Sequence, residues 1–184
     1  LGLYLGGILH DIGKIAIPET ILTKPGELKE VEWELIRSHP EVGYEKILGD
    51  TDFPWPVADM TLHHHERLDG SGYPEGLGRK EISKEAKILE AVDVVEAMSS
   101  MRPYRGPKTK EEVLTEISSG REEKYDKEVV DILVDMIEEG QTVQATGQDA
   151  LISLNGTPLR TEGLTANVTT PDFSGSLKFD PGKL

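Results

Sequence analysis

The histidines of this chain stand beside residues that suit a metal centre. His10 is followed at once by Asp11, His65 is followed by Glu66, and Asp93 interrupts an apolar stretch. The five histidines occupy three places: His10, His39 and the run His63-His64-His65. Imidazole and carboxylate ligands without thiolates are typical of Fe, Mn, Zn or Ni sites that keep positions open for hydrolysis. The residue types therefore favour a hydrolytic metal centre.

The alternative for each histidine is a structural role, since a single histidine on an apolar helix is more often a core or surface residue than a ligand. Asp93 weighs against that alternative, because a carboxylate on a buried helix face is costly unless it is paired or bound to metal. Adjacent residues on a helix point about 100° apart. His10 and Asp11 therefore reach one centre only with the help of other helices, or else serve two neighbouring metals.

Helical spacing of apolar residues predicts the elements that carry the histidines. The predicted segments are a helix from Leu1 through Ile12, one that ends before His39-Pro40, a short one over 41–48, and one from Pro56 into the histidine run. Residues 69–76 are dense in glycine and proline and predict a loop. The histidines are thus expected at helix ends and loop borders.

Capping residues mark three further helices. Ser83 is a predicted N-cap, Thr109 and Glu112 have the spacing of a capping box, and Asp126 precedes a last amphipathic helix closed by Gly140. Gly120 stands where a C′ glycine belongs. Residues 1–140 are therefore predicted to form an all-α domain.

The composition changes after Gly140. Residues 141–184 are rich in Thr, Gly, Asn and Ser, and Asn155-Gly156 is a type I′ hairpin signal. We predict a boundary near Gly140, followed by either a small β-prone appendage or a loosely ordered tail.

Composition excludes several classes of protein. The chain has 184 residues, no cysteine and a formal net charge of −14, which argues against a duplex nucleic-acid binder and against disulfides. No apolar run approaches the ~20 residues of a membrane span. The chain opens on Leu1 in what reads as the middle of a helix, so we expect the start of the natural protein to be missing. No signal peptide is predicted, and the expected location is the cytoplasm.

Four ordered blocks resemble the HD-GYP family of the HD phosphohydrolase superfamily. They are His10-Asp11-Ile12-Gly13-Lys14, Ile36-Arg37-Ser38-His39-Pro40, the stretch from His64 to Pro74 with its Gly-Tyr-Pro, and the stretch from Asp93 to Arg105. The resemblance covers about residues 1–139. It implies an HD-superfamily helical bundle that hydrolyses cyclic di-GMP to linear pGpG or to GMP in bacterial signal transduction.

The resemblance also implies the site residues. The implied metal ligands are His10, Asp11, His39, His64, His65 and Asp93. Asp11 would bridge two divalent ions, with Fe or Mn expected and Zn, Ni or Mg as alternatives. His63 is expected either to be structural or to support the ligands without binding metal, since the family pattern needs only the histidine doublet beside Glu66.

Substrate contacts follow from the same resemblance. Arg102 and Arg105 would hold phosphate, Lys14 would add positive charge there and act with Asp11 in catalysis, and the Tyr73 loop would border the substrate. The structural alternatives are a solvated cation for Lys14, a surface turn for the arginines and plain packing for Tyr73.

Two departures from the family pattern leave other functions open. Relatives carry a further histidine, and in some members a carboxylate, before the HD doublet, but the nine residues before His10 include no His, Asp or Glu. By this pattern one metal would lack one or more of its ligands, and a third metal is not expected. Glu96 replaces the usual aspartate. The alternative functions are a catalytically silent module that binds a partner such as a diguanylate cyclase domain, and an HD hydrolase for another nucleotide.

Overall fold

The computed structural model describes residues 2–45, 56–100 and 106–140, together with the backbone of two short strands at 165–170 and 173–178. The helices are α1 Gly2–Leu9, a 3₁₀ helix Ile12–Ala16, α2 Glu19–Leu22, α3 Glu30–Arg37, α4 His39–Gly43, α5 Val57–His63, α6 Lys84–Ser99, α7 Lys110–Ser119 and α8 Lys127–Glu138. The predicted all-α fold class is confirmed.

Helix α5 lies at the centre of the part of the bundle that carries the histidines. It packs against α1, α4 and α6, while α4 packs against the 3₁₀ helix. Val57 and Met60 of α5 are fully buried. Gly6 of α1 makes a close approach, since a Cβ there would lie 2.3 Å from Met60 Cε. This packing brings the ends of several helices to one place.

The second half of the bundle is an apolar core between α6, α7 and α8. Its fully or nearly fully buried members include Ala91, Val95, Val113, Ile117 and Leu133. Burying side chains of this size contributes about 1.5–3 kcal/mol each. The core holds α6, and with it Asp93, in a fixed position.

Three predicted helix starts have the expected geometry. The Ser83 side chain accepts a hydrogen bond at the start of α6, Thr109 and Glu112 form a capping box on α7, and the Asp126 carboxylate caps α8. Gly140 has φ +78°, the left-handed conformation expected of a glycine after a helix. Local sequence therefore defines these helix ends.

Gly120 is a glycine for a different reason from the predicted one. Its φ of −86° is open to any residue. A Cβ at Gly120 would instead lie 2.4 Å from Cε2 of the buried Tyr125 ring. The glycine therefore makes room for Tyr125.

Two predicted helices have other bounds. Helix α1 ends at Leu9 rather than Ile12, so His10 and Asp11 lie in the turn that leads into the 3₁₀ helix. Helix α4 begins at His39, with Pro40 in its first turn, where proline is tolerated. The remainder of the predicted 41–48 helix lies outside the described residues from 46 onward.

The strands Thr165–Thr170 (β1) and Phe173–Lys178 (β2) pair in antiparallel register, with Thr165 opposite Lys178. The predicted Asn155-Gly156 hairpin lies outside the described residues, and the boundary near Gly140 stays a prediction. In the described part of the chain, none of the helices has the length and apolar character needed to cross a membrane.

A buried side-chain contact joins α6 to the segment after the histidine run. Arg67 donates to the Glu90 carboxylate, and the Arg67 guanidinium lies 4.9 Å from the centre of the Tyr125 ring. Glu90 is only 3% exposed. Burial raises the pKa of Glu90 to about 8, although the positive charge of Arg67 opposes the rise.

This shift predicts a pH dependence of stability. Between the ordinary glutamate pKa of 4.5 and about 8, the folded chain keeps the proton that the unfolded chain has released. The free energy of unfolding therefore falls as pH rises through this window. Between pH 5 and 8.5 we expect the free energy of unfolding of Glu90→Gln to fall by roughly 2–4 kcal/mol less than that of the wild type. Urea unfolding at equal metal content measures both. The control is Glu111→Gln at an exposed position. Equal slopes for Glu90→Gln and the wild type would contradict the expectation.

Candidate metal centre

Three histidines are oriented by backbone carbonyls at helix ends. The last carbonyls of a helix have no partner within it, so they are free to accept from a side chain. The accepting carbonyls are Gly7 for His10 (2.7 Å), Ile36 for His39 (2.7 Å) and Thr61 for His64 (2.8 Å). A carbonyl can only accept, so each Nδ1 carries the proton. In a neutral ring of this tautomer the Nε2 lone pair points away from the carbonyl, an orientation typical of metal-binding histidines.

These lone pairs converge on one carboxylate. The Nε2 atoms of His39 and His64 are 3.2 Å apart, and Asp11 Oδ1 lies 3.2 Å from the first and 3.9 Å from the second. Each of four residues offers one ligand atom, and these atoms all lie within 4.8 Å of one another: Asp11, His39, His64 and His65. His39 and His64 are fully buried, so the centre is shielded from bulk water.

The other oxygen of Asp11 faces a different set of groups. Oδ2 lies 3.5 Å from His10 Nε2 and accepts a 2.5 Å hydrogen bond from Lys14 Nζ. Asp93 stands close by, with 3.7 Å between His10 Nε2 and its Oδ1, and 3.9 Å between His65 Nδ1 and its Oδ2. The six residues predicted as ligands therefore lie together, with Asp11 between two groups of donors.

The protonation states suit cation binding. Burial and then the charges of neighbouring histidines hold the pKa values of His64 and His65 well below the ordinary range, so both rings are neutral at pH 7. Burial alone would raise the pKa of Asp11, but the contact with His39 and the charges of His10 and Lys14 lower it. Burial would raise the pKa of Asp93 as well, but its contact with His10 and the charges of His65 and His10 together lower it.

The pKa of His10 shifts in the opposite direction from those of His64 and His65. Burial would lower its pKa, but its contact with Asp93 and the charges of Asp11 and Asp93 raise it overall. Without a metal, a proton on His10 would neutralise part of this negative charge. The site therefore has a strong electrostatic demand for a cation.

Two observations show that a divalent ion fits here. Among the described residues, the buried side-chain atoms without a hydrogen-bond partner are His10 Nε2 and Asp11 Oδ1, and both face this centre. The Nε2 atoms of His39 and His64 present lone pairs to each other at 3.2 Å. Two nitrogen atoms bound to one ion at ~2.1 Å lie roughly 3.0–3.4 Å apart. The ligand atoms are therefore spaced as they would be around a shared ion.

The Tyr73 loop borders this centre. The Tyr73 ring stacks on His65, with 4.7 Å between ring centres and 28° between planes, and the Tyr73 N–H donates to the His65 carbonyl at 3.2 Å. The Tyr73-Pro74 peptide bond is cis. Burial raises the pKa of Tyr73, so its phenol stays protonated.

His63 lies apart from the cluster. Its Nδ1 contacts Asp59 at 2.9 Å and its Nε2 contacts Glu75 at 3.1 Å, so both ring nitrogens are engaged elsewhere. This placement fits the structural role predicted for it. The predicted phosphate ligands Arg102 and Arg105 lie outside the described residues.

The sequence analysis used Glu66 only as a marker of the histidine doublet and did not predict its contacts with the loop. Glu66 is 1% exposed and accepts hydrogen bonds from three backbone N–H groups of the glycine-rich loop. The available signal was an acidic residue directly after two predicted ligands and just before a glycine-rich loop. Its partners lie nine to eleven residues further on and have no sequence signature.

The fold and site define the class of this protein as a helical domain that presents, at the ends of its helices, a thiolate-free His/Asp cluster able to hold a metal ion. The family model described as HD domain matches residues 1–129. The chain belongs to this HD domain family.

Several relatives support the same conclusion. The chain is 43% identical to the cyclic di-GMP phosphodiesterase response regulator RpfG of Xanthomonas campestris over 127 residues, covering 68% of this chain and 34% of that protein. It is 42% identical to a cyclic di-GMP phosphodiesterase of Thermotoga maritima over 150 residues, covering 80% and 40%. It is 40% identical to 3′3′-cGAMP-specific phosphodiesterase 1 of Vibrio cholerae over 139 residues, covering 72% and 31%.

A solved structure shares the fold. Bd1817, an HDG"Y"P protein from Bdellovibrio bacteriovorus, superposes with a TM-score of 0.61 at 21% identity, covering 74% of this chain and 43% of that one. The resemblance drawn from the four sequence blocks is thus confirmed. The chain spans between 31% and 40% of the length of the three curated relatives.

Proposed function

We propose that this chain is a metal-dependent phosphodiesterase domain that hydrolyses cyclic di-GMP to linear pGpG or to GMP in the bacterial cytoplasm. The observation that carries the proposal is the convergence of histidine Nε2 atoms on Asp11 in a buried centre with a demand for a cation. The names of the relatives, which act on cyclic dinucleotides, supply the substrate class.

The proposed ligands are His10, Asp11, His39, His64, His65 and Asp93. Asp11 is the proposed bridge between two ions, because its oxygens face different donors: Oδ1 faces His39 and His64, whereas Oδ2 faces His10. Nitrogen and oxygen ligands without sulfur suit Fe or Mn, with Zn, Ni or Mg as alternatives.

Divalent ions at such a centre supply Lewis acidity, lowering the pKa of water from ~15.7 towards about 7 and neutralising charge on a phosphodiester. The residues of the chain do the rest. Neutral His64 and His65 keep their lone pairs available, and the Thr61 carbonyl in the last turn of α5 holds the His64 ring in place. Lys14 holds its ammonium against Asp11 and would add positive charge at the substrate phosphate.

Substrate binding is proposed for Lys14, Tyr73, Arg102 and Arg105. The partly buried, protonated Tyr73 provides an aromatic ring beside His65. Paired arginines offer bidentate hydrogen bonds to phosphate, which offset the acidic background of a chain with net charge −14.

The test is hydrolysis by the purified chain loaded anaerobically with Fe²⁺ or Mn²⁺. Cyclic di-GMP and 3′3′-cGAMP are supplied separately and in competition, and the products are separated by chromatography. We expect pGpG or GMP from cyclic di-GMP with the higher kcat/KM. Preference for 3′3′-cGAMP would reassign the substrate, for which the Vibrio cholerae relative gives a specific reason.

A metal-loaded chain that hydrolyses neither dinucleotide would overturn the proposed activity. It would favour the alternative predicted from the sequence, a silent module that binds a partner such as a diguanylate cyclase domain. Binding of such a domain, measured by calorimetry, would then identify the module.

A further inference from the structure

Glu66 is a buried carboxylate whose hydrogen-bonding capacity is directed at one loop. Its Oε1 accepts from the backbone N–H of Glu75 at 2.7 Å and of Gly76 at 3.1 Å, and its Oε2 accepts from Leu77 at 2.9 Å. Three successive amides therefore converge on one charged group. Hydrogen bonds to an ionised acceptor are roughly twice as strong as neutral ones.

The same loop also folds back onto the backbone around Glu66. A Cβ on Gly72 would lie 2.4 Å from Glu66 Cα and from Arg67 N, so only glycine permits this approach. The Tyr73 N–H donates to the His65 carbonyl, and the Tyr73 ring stacks on the His65 imidazole. The loop is thus fixed on both sides of Tyr73, by the residues next to the metal centre.

We infer that Glu66 is a positioning residue that holds the 72–77 loop so that Tyr73 stays over His65 and faces the substrate. The inference rests on the proposed function, in which Tyr73 borders the bound dinucleotide. Glu66 acts through Tyr73 and has no contact with the reacting atoms. Because Glu66 directly follows His65 in the chain, its hydrogen bonds to the loop hold the loop close to the candidate metal centre.

A carboxylate is required because both of its oxygens accept. Glutamine offers one acceptor oxygen, and its amide NH₂ would face a backbone N–H that also donates. Glu66→Gln therefore keeps the volume of the side chain but breaks at least one of the three hydrogen bonds. A matched control exists nearby, since the Glu81 carboxylate accepts a single bond from Gly78 at 2.9 Å at an exposed position.

The first measurement is amide hydrogen exchange of the metal-loaded chain. In Glu66→Gln we expect exchange of residues 72–77 to be at least about tenfold faster, with metal content and exchange in the α6–α8 core unchanged. Glu81→Gln should leave 72–77 as in the wild type. Unchanged exchange at 72–77 in Glu66→Gln would overturn the inference. If that variant does not fold, Gly72→Ala tests the same tie from the loop side, with the same expected loosening.

The second measurement is a kinetic double-mutant cycle with Glu66→Gln and Tyr73→Ala. We expect Glu66→Gln to raise KM for cyclic di-GMP about tenfold with little change in kcat, and the double variant to be no worse than Tyr73→Ala alone. Additive effects would mean that Glu66 acts independently of Tyr73, which contradicts the inference. If the wild type hydrolyses no cyclic dinucleotide, the proposed function fails, and the exchange experiment still decides whether Glu66 holds the loop.

Discussion

Asp11→Ala is expected to lose bound metal and to lower cyclic dinucleotide turnover by about 10³-fold or more. The reason is that both Asp11 oxygens face donor atoms of the site, so one substitution opens both groups of ligands. Metal ions contribute several kcal/mol to phosphoryl chemistry, and ~4 kcal/mol corresponds to about 10³-fold in rate. Metal content by plasma mass spectrometry, on protein purified without added metal or chelator, measures the first effect.

Two further variants make this test specific. Asp135→Ala removes an exposed aspartate on α8 and should change neither metal content nor turnover. Asp11→Asn keeps the shape but removes the charge that Lys14 and the histidines face, so we expect reduced metal content there as well. An Asp11→Ala protein that still holds about two metals per chain would contradict the bridging assignment.

Gly13→Ala is expected to lower the free energy of unfolding by about 3 kcal/mol or more. A Cβ at Gly13 would lie 1.9 Å from the His39 carbonyl oxygen and 2.6 Å from Gly43 N. These are backbone atoms of α4, so the clash cannot be relieved by turning a side chain. The 3₁₀ helix and α4 must separate, which also moves His39 away from Asp11.

Gly7→Ala is the matched control. It lies on α1, three residues before His10, and a Cβ there meets nothing within 4 Å among the described residues. Replacing glycine by alanine in a helix should raise stability by roughly 0.5–1 kcal/mol. Urea unfolding of both variants, with metal content measured in parallel, checks the pair. Equal stability of Gly13→Ala and the wild type would mean that the two elements are not in contact.

Local sequence predicted much of this protein because caps and helical spacing act over a few residues. Ser83, Thr109 and Asp126 cap their helices as expected, since each side chain bonds to amides two or three residues away. Gly120 shows where such reasoning ends. Its glycine makes room for the Tyr125 ring, a requirement that helix-end rules do not contain.

The candidate site was likewise predicted only in part from the sequence. Residue types indicated a metal centre, because imidazole and carboxylate groups bind metals, and the family resemblance of the four blocks supplied the six proposed ligands. The adjacent pair His10 and Asp11 had no evident common direction while they were placed on one helix. The structure ends α1 at Leu9, and the turn that follows lets both side chains face one centre.

The sequence by itself determined most of the helices, their capping residues and the residue types of the candidate site, since these depend on local backbone preferences and on side-chain chemistry. Only the tertiary structure decided that helix-end carbonyls orient His10, His39 and His64. It also decided the pairing of Arg67 with Glu90 and of Glu66 with the loop. These contacts join segments up to 23 residues apart. They depend on how the helices pack, and no short-range pattern encodes that packing.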